Sequence, residues 1–431
     1  MTDLVAAVRD GRVVVVTGPH GPTLPVEQEG EGLPSPGELA RAVGAATVMP
    51  LAPSRPATAD PGLAVHLVEP EGVTAAQWLD LDALDRLAHP PSVAEAIRTG
   101  LGEHGGTLPW PPGRPPWFAA GWRAAIDAFV DETLASLGRQ RAGSGRVVQM
   151  WNLSAVLEIP VAAPPGGSVF VKATCDLFRA EPAITALLSR LAPGRVPEVL
   201  AVEADQGWML MEPLPGTDED ERARSAPDAA RVLAELQVLL ADRTDELLAA
   251  GVVDRTAGPT VAALHGLVRE SVELDRLTTE ERQQLLQLLP WLERRVAELA
   301  ASGLPDTLGH GDLHTGNFVV GPSGPVLFDW TDAALTFPAL DAVLLARSAG
   351  EGQRAATLAA YAAVWRAARP AADVVRALEL AALVHPAYQA ISYEGIARTQ
   401  EQSGASGLSG LLARNLRSLV GQWQQAGRPR S

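Results

Sequence analysis

Residues 12–17 (RVVVVT) form an apolar run bounded by charge and turn formers, the pattern of a buried strand, and residues 64–68 read as a further strand. Between them, residues 18–32 are rich in turn formers and residues 36–43 space their apolar positions as a short helix. Residues 74–87 also carry helix-compatible spacing. The pattern predicts a small α/β domain over residues 1–104. The segment 105–116 (GGTLPWPPGRPP) cannot continue a helix or enter a sheet interior, because its prolines offer no N–H and clash with the preceding turn. It marks a linker which, with the helix after it, extends to residue 145. In that helix, residues 117–137, Trp122, Ile126, Phe129, Val130 and Leu134 recur at helical spacing.

From residue 146 the pattern changes to strands. RVVQMW, AVLEIP and SVFVKAT follow one another, the last two separated by a turn at APPGG. Residues 181–190 then form a helix with Ile184, Leu187, Leu188 and Leu191 on one face and Gly194 just past its end. Residues 197–202 and 207–212 complete five strands, giving a unit at 146–213. Residues 214–431 are mostly helical, as at 229–248 and 279–301, and are interrupted around 310–330. Strands followed by helices predict an α+β class, a small five-stranded sheet lobe with a mainly helical lobe, preceded by the small α/β domain.

A chain of 431 residues is long enough for two or three folding units with sizeable cores. Its formal charge of −16 argues against nucleic acid as a partner, since nucleic-acid binders concentrate Lys and Arg, and suits a neutral or cationic small molecule better. The single cysteine, Cys175, cannot form an internal disulfide, which fits a reducing compartment. Asp3, Arg9, Asp10 and Arg12 break up the first residues, unlike a secretory leader, and no apolar run approaches the roughly 18 residues of a membrane span. A cytoplasmic protein without membrane association is expected. The sharpest compositional feature is that Lys172 is the only lysine among 35 basic residues. Where the chain keeps an ammonium, its compact three-donor geometry is required, because a planar guanidinium does not replace it.

The chemistry concentrates in HGDLHTGN, residues 310–317, and FDW, residues 328–330. Between them FVV, GPSG and PVLF read as two short strands joined by a four-residue turn. An antiparallel hairpin returns to its start, so Asn317 and Asp329 face one another at its open end, within reach of a shared cation. An amide oxygen and a carboxylate are hard ligands suited to Mg²⁺, which takes its remaining ligands from water and substrate phosphates. Asp312, on the same loop, is placed to accept or orient the proton of a hydroxyl attacking a phosphorus. Lys172 ends the apolar run SVFV, where an ammonium needs a carboxylate or a phosphate partner, and Glu181 follows nine residues on.

On these residues the chain resembles the aminoglycoside phosphotransferase family, a branch of the protein-kinase-like fold that includes choline, homoserine and sugar kinases. The pattern matched is H-G-D-x-x-x-x-N followed about a dozen residues later by an aspartate. The resemblance covers residues 146 to 431 and implies a two-lobed kinase-like fold using ATP and Mg²⁺. It implies that Asp312 is catalytic, that Asn317 and Asp329 are metal ligands, and that Lys172 holds the α and β phosphates with Glu181 as its partner. By the same resemblance Asp341 braces the catalytic loop, Met211 and Glu212 meet the adenine, and Tyr388, Tyr393 and Glu394 lie in the region where acceptors bind, although core packing and surface exposure explain those three equally well. The glycine-rich loop is missing from residues 150–156 (MWNLSAV), so Asn152, Leu153 and Ser154 are the residues expected over the phosphates.

Residues 1–104 resemble a Nudix fold in RVVVVTGPHGPTLP and QWLDLDALDRL but lack its acidic box, which implies a degenerate cap or dimerisation module. His310 and His314 read as structural residues that orient loop carbonyls, and the run DEDE at 218–221 as a solvated helix entrance. Two functional readings follow. The first is a small-molecule kinase acting on a hydroxyl of an aminoglycoside, amino sugar, sugar or related metabolite. The alternative is a non-catalytic nucleotide-binding pseudokinase or sensor with an N-terminal interaction module.

Overall fold

The computed structural model describes residues 2–18, 21–27, 36–45, 47–52, 55–57, 60–71, 77–162, 167–403 and 410–426. Two compact units emerge from its internal contacts, one of residues 1–177 with 399–408, the other of 178–398 with 409–431.

In the first unit the N-terminal strand Thr2–Arg9 turns through Asp10 and Gly11 into the strand Arg12–Gly18. Both turn residues have positive φ, 49° and 74°, as a two-residue type I′ hairpin demands, and Asp-Gly suits it. The strand Thr2–Arg9 also pairs in parallel with the long strand Asp60–Glu71. Alternate residues face opposite sides, and both sides are covered. Leu4, Ala6, Val8, Val13 and Val15 pack with Val93, Ala94 and Ile97 of the helix Pro91–His104, while Val5, Ala7 and Val14 pack with Leu39 and Ala40 of the helix Pro36–Ala42. A two-sided burial explains why these strands read as continuous apolar runs.

Residues 77–87 correct the helical expectation for 74–87. They form the strand Gln77–Asp80, paired with Arg12–Val15, and then the 3₁₀ helix Leu81–Arg86. The local spacing fits either state, and the open edge of the strand Arg12–Gly18 decides it by supplying ladder hydrogen bonds. Residues 72–76 lie outside the described residues, as do 163–166 of the expected APPGG turn. The helix Trp122–Ser136 buries Trp122, Ile126, Val130 and Leu134 as its spacing foretold, with Phe129 half-buried. Trp117 and Phe118 are buried just before it, and the Trp117 indole donates to the carbonyl of Trp151 at 2.7 Å.

The five strands expected between residues 146 and 213 are present and the α+β class holds, with a five-stranded sheet and a helix-rich remainder. Strands Arg146–Met150, Ser154–Val161 and Gly167–Thr174 run antiparallel in succession, with Val156 opposite Lys172. In the second unit Val199–Glu203 pairs with Trp208–Met211. The helix expected at 229–248 begins earlier, as Glu219–Leu240, and a break precedes Thr244–Ala249. Asp218 caps it by accepting the Glu221 N–H at 2.7 Å, so the acidic run serves the positive end of the helix dipole. The helix Thr279–Ala300 opens with a capping box of Thr278 and Glu281. The remaining long helices of this unit are Ala257–Glu270, Ala339–Ser348, Glu351–Ala368, Val374–Ser403 and Leu411–Ala426. Among the described residues no helix is long and apolar enough to cross a membrane.

Candidate active site

The strand Thr307–Gly309, buried throughout, pairs with Ala334–Thr336 and delivers the chain into the loop 310–317. The loop turns at Gly311, whose φ is +84°, and a Cβ there would lie 2.2 Å from the carbonyl oxygen of Asp332. Only glycine satisfies both conditions. Asp341, in the first turn of the helix Ala339–Ser348, then grips the loop. Its carboxylate accepts the backbone N–H of His310 at 2.7 Å and of Gly311 at 2.9 Å. Burial pushes the Asp341 carboxyl up to about 6, against the pull of those two N–H groups. The bracing role implied for Asp341 thus has a direct geometric form.

His310 is wholly buried and ties the loop to the far end of the hairpin. Its Nε2 lies 2.9 Å from the carbonyl oxygen of Phe328, which can only accept, so Nε2 carries the hydrogen and Nδ1 faces the Asp312 N–H at 3.4 Å. Burial depresses its pKa to about 4, which keeps the ring neutral near pH 7. The ring centroid lies 4.5 Å from that of Trp330. His310 therefore joins three parts of the motif HGD…FDW as a structural link. His314, lowered by burial, places Nε2 3.8 Å from an Asp312 carboxylate oxygen.

The hairpin Phe318–Gly321 and Gly324–Leu327 pairs Phe318 with Leu327 and Gly321 with Gly324. Its loop is therefore only Pro322 and Ser323, shorter than the four-residue turn expected, because the glycines at 321 and 324 join the ladder. One step beyond the ladder, the Phe328 N–H donates to the Asn317 carbonyl at 3.0 Å, which sets Asp329 next to Asn317 at the open end. The Asn317 amide nitrogen donates to the Asp312 carbonyl at 2.8 Å. Asp329 sits at φ +67°, in the left-handed region that costs a non-glycine residue about 1 kcal/mol or more. Pairing on both sides holds it there: the Leu327 N–H donates to the Arg195 backbone carbonyl at 2.8 Å, and the Ala333 N–H to the Trp330 backbone carbonyl at 3.1 Å. Asp312, Asn317, Asp329 and Asp341 are thus brought together.

The charge pattern brings in residues that the sequence did not single out. The Asp312 carboxyl is pushed up to about 7, first by burial and then by the charges of Asp332, Asp329 and Asp341. Asp332 is itself raised by burial, while Arg255 and the Ser392 hydroxyl pull it down. Arg255 donates to Ser392 Oγ at 2.6 Å and stacks over the Tyr388 ring at 5.3 Å. Tyr393 is raised by burial and by Asp312 and Asp332. Tyr388, Ser392 and Tyr393 of the helix Val374–Ser403 therefore border the carboxylates, whereas Glu394 accepts from Ser271 at 2.6 Å. Asp332 carried a weak signal, a second acid three residues after Asp329. Arg255 and Ser392 carried none, being far away in sequence.

The other expected site residues are distributed between the two units. In the first, Lys172 is buried on the strand Gly167–Thr174, and residues 151–154 form the turn before Ser154–Val161. There the Trp151 indole donates to Ser154 Oγ at 2.9 Å, and the buried Asn152 amide oxygen has no hydrogen-bond partner. In the second, Glu181 is the buried first residue of the helix Glu181–Leu191, with Pro182 behind it. Met211 ends its strand, and the Glu212 N–H donates to the Glu198 carbonyl at 3.0 Å.

Residues 173–376 match the model of the phosphotransferase enzyme family. No curated protein sequence matches the chain. Among solved structures, a macrolide 2′-phosphotransferase from Brachybacterium faecium is similar at 19% identity, covering 66% of this chain and 97% of that one, with a TM-score of 0.45. The GDP complex of aminoglycoside 2′-phosphotransferase-IIIa is similar at 18% identity, 69% and 99% coverage and a TM-score of 0.46. A choline kinase from Streptococcus pneumoniae is similar at 15% identity, 68% and 99% coverage and a TM-score of 0.45. The loop 310–317, the hairpin behind it and Asp341 all lie within residues 173–376, the part of the chain that matches the phosphotransferase enzyme family.

Proposed function

We propose that this protein is an ATP- and Mg²⁺-dependent O-phosphotransferase, moving the γ-phosphoryl group to a hydroxyl of a small polar molecule such as an aminoglycoside, amino sugar or sugar. The observation that carries this reading is the clamped loop, in which Asp312 stands beside the Asn317 and Asp329 pair. Transfer forms a bond from the acceptor oxygen to the γ-phosphorus and breaks the bond to the β-γ bridging oxygen. Asp312 orients the hydroxyl and receives its proton.

The donor set at the hairpin's open end suits a hard divalent cation. Because the Asn317 nitrogen is engaged by the Asp312 carbonyl, its amide oxygen is the atom left for a metal, and Asp329 adds a carboxylate. A bound Mg²⁺ would neutralise charge on the β and γ phosphates. Lys172 is assigned to the α and β phosphates with Glu181 as its partner, Asn152 and Ser154 to the phosphate cover, and Met211 and Glu212 to the adenine. The buried, unpartnered oxygen of Asn152 fits a place where a ligand supplies the missing donor.

The direct test measures nucleoside diphosphate release with ATP or GTP, with and without Mg²⁺, across aminoglycosides, amino sugars, sugars and choline-like alcohols. A Mg²⁺-dependent, acceptor-dependent signal is expected, and no signal with any acceptor would reject the reading. The pH profile adds a second test. Asp312 acts ionised, so turnover rises as pH climbs through its pKa, which burial and neighbouring acids have raised to about 7. Asp332→Asn removes the strongest of those neighbouring charges, so the acid limb of kcat should move to lower pH. A limb that stays in place, or moves upward, would contradict Asp312 as the proton acceptor.

A further inference from the structure

Gln237 is a polar residue on the buried face of the helix Glu219–Leu240, 1% exposed, between Leu233 and Leu240. Its amide meets four groups. The oxygen accepts from the Tyr361 hydroxyl at 2.8 Å and the Trp365 indole at 3.4 Å, while the nitrogen donates to the Pro338 carbonyl at 3.1 Å and an Asp341 carboxylate oxygen at 3.4 Å. This orientation is dictated by its neighbours. An indole N–H can only donate, and a carbonyl can only accept, so a flipped amide would oppose like groups on both sides. The backbone carbonyl of Gln237 also accepts from Thr307 at 2.9 Å, at the start of the strand that feeds the loop. Burial keeps the Tyr361 phenol protonated and therefore a donor.

We propose that Gln237 is a positioning residue for the catalytic loop, holding the Asp341 carboxylate in place to receive the backbone N–H groups of His310 and Gly311. One amide thus links the helix Glu351–Ala368, through Tyr361 and Trp365, to the carboxylate that sets the loop conformation. The fully buried polar network has a defined shape because both amide atoms of Gln237 find partners of the opposite kind, which an apolar side chain there would not specify. Its effect on turnover rests on the proposed function, but its effect on the loop does not.

The test uses Gln237→Met, which keeps chain length and volume but removes the amide. Hydrogen exchange of the full-length protein, followed by mass spectrometry over residues 308–316, should speed up by about tenfold or more, the scale of one hydrogen bond to a charged group. Exchange in the helix Thr279–Ala300 should not change. In parallel, kcat should fall by about tenfold while KM for the nucleotide holds, as for a group that acts on loop geometry alone. Tyr361→Phe, which removes one donor to the same amide, should shift loop exchange in the same direction by less, and it serves if the first variant fails to fold. Unchanged loop exchange in the folded variants overturns the inference, as does a uniform acceleration across the second unit. Faster loop exchange in a protein that transfers phosphate to no acceptor would uphold the positioning role while rejecting the proposed function.

Discussion

Asp312→Asn should reduce turnover by roughly 10² to 10⁴-fold, the contribution of a positioned proton acceptor, while nucleotide binding is retained. Asparagine keeps the size of the side chain but cannot take a proton from the attacking hydroxyl. The substitution also leaves the loop's supports in place, since Asp341 holds His310 and Gly311, and Asn317 bonds the Asp312 backbone rather than its carboxylate. Folding should not suffer. The wild-type carboxylate is pushed up to about 7 by partial burial and by the charges of Asp332, Asp329 and Asp341, so a neutral amide relieves repulsion at neutral pH. The checks are calorimetric titration with nucleotide and Mg²⁺, thermal unfolding, and initial rates with a saturating acceptor. Turnover within about tenfold of wild type would remove Asp312 from the proton-transfer step, because general acid–base contributions are larger than that. Loss of nucleotide binding together with turnover would instead mean that the loop had collapsed.

The residues of that loop were legible in the sequence because their spacing is local. A hairpin closes on itself, so the separation of Asn317 from Asp329 already implied that they meet, and the ladder from Phe318 to Leu327 realises it. The five strands at 146–213 and the helix Glu181–Leu191 were legible for a related reason, since strand and helix periods dominate short windows. Residues 77–87 failed because a four-residue strand followed by a six-residue 3₁₀ helix is too short to display a period of its own, and the deciding partner lay at residues 12–15. The supports around the carboxylates failed differently. Arg255 and Ser392 meet 137 positions apart in sequence, and no pattern within either segment marks that meeting. Gln237 did leave a trace, a polar residue on the apolar face of a helix, but its meaning depends on Tyr361, Trp365 and Asp341, all more than 100 residues away. Motifs thus disclosed the candidate site residues, while the groups packed around them required the fold.

Asp329→Asn is the second substitution with a large expected effect, and it acts on metal use rather than proton transfer. Asparagine tolerates the left-handed backbone at φ +67° about as well as aspartate, so the variant tests charge without adding the strain that alanine would. Losing a direct charged contact to a bound cation costs about 3 kcal/mol, a factor of roughly 100. The Mg²⁺ concentration that gives half-maximal turnover should therefore rise by about that factor, and kcat/KM for the nucleotide at low Mg²⁺ should fall with it. High Mg²⁺ should restore part of the rate, because Asn317 and the substrate phosphates still offer oxygen ligands. Metal saturation curves at several nucleotide concentrations separate this outcome from a simple loss of folding, which no Mg²⁺ concentration would repair. An unchanged Mg²⁺ requirement would remove Asp329 from the metal site. Its charge would then bear on the loop only through the neighbouring acids, and the cost of its left-handed backbone would need another explanation.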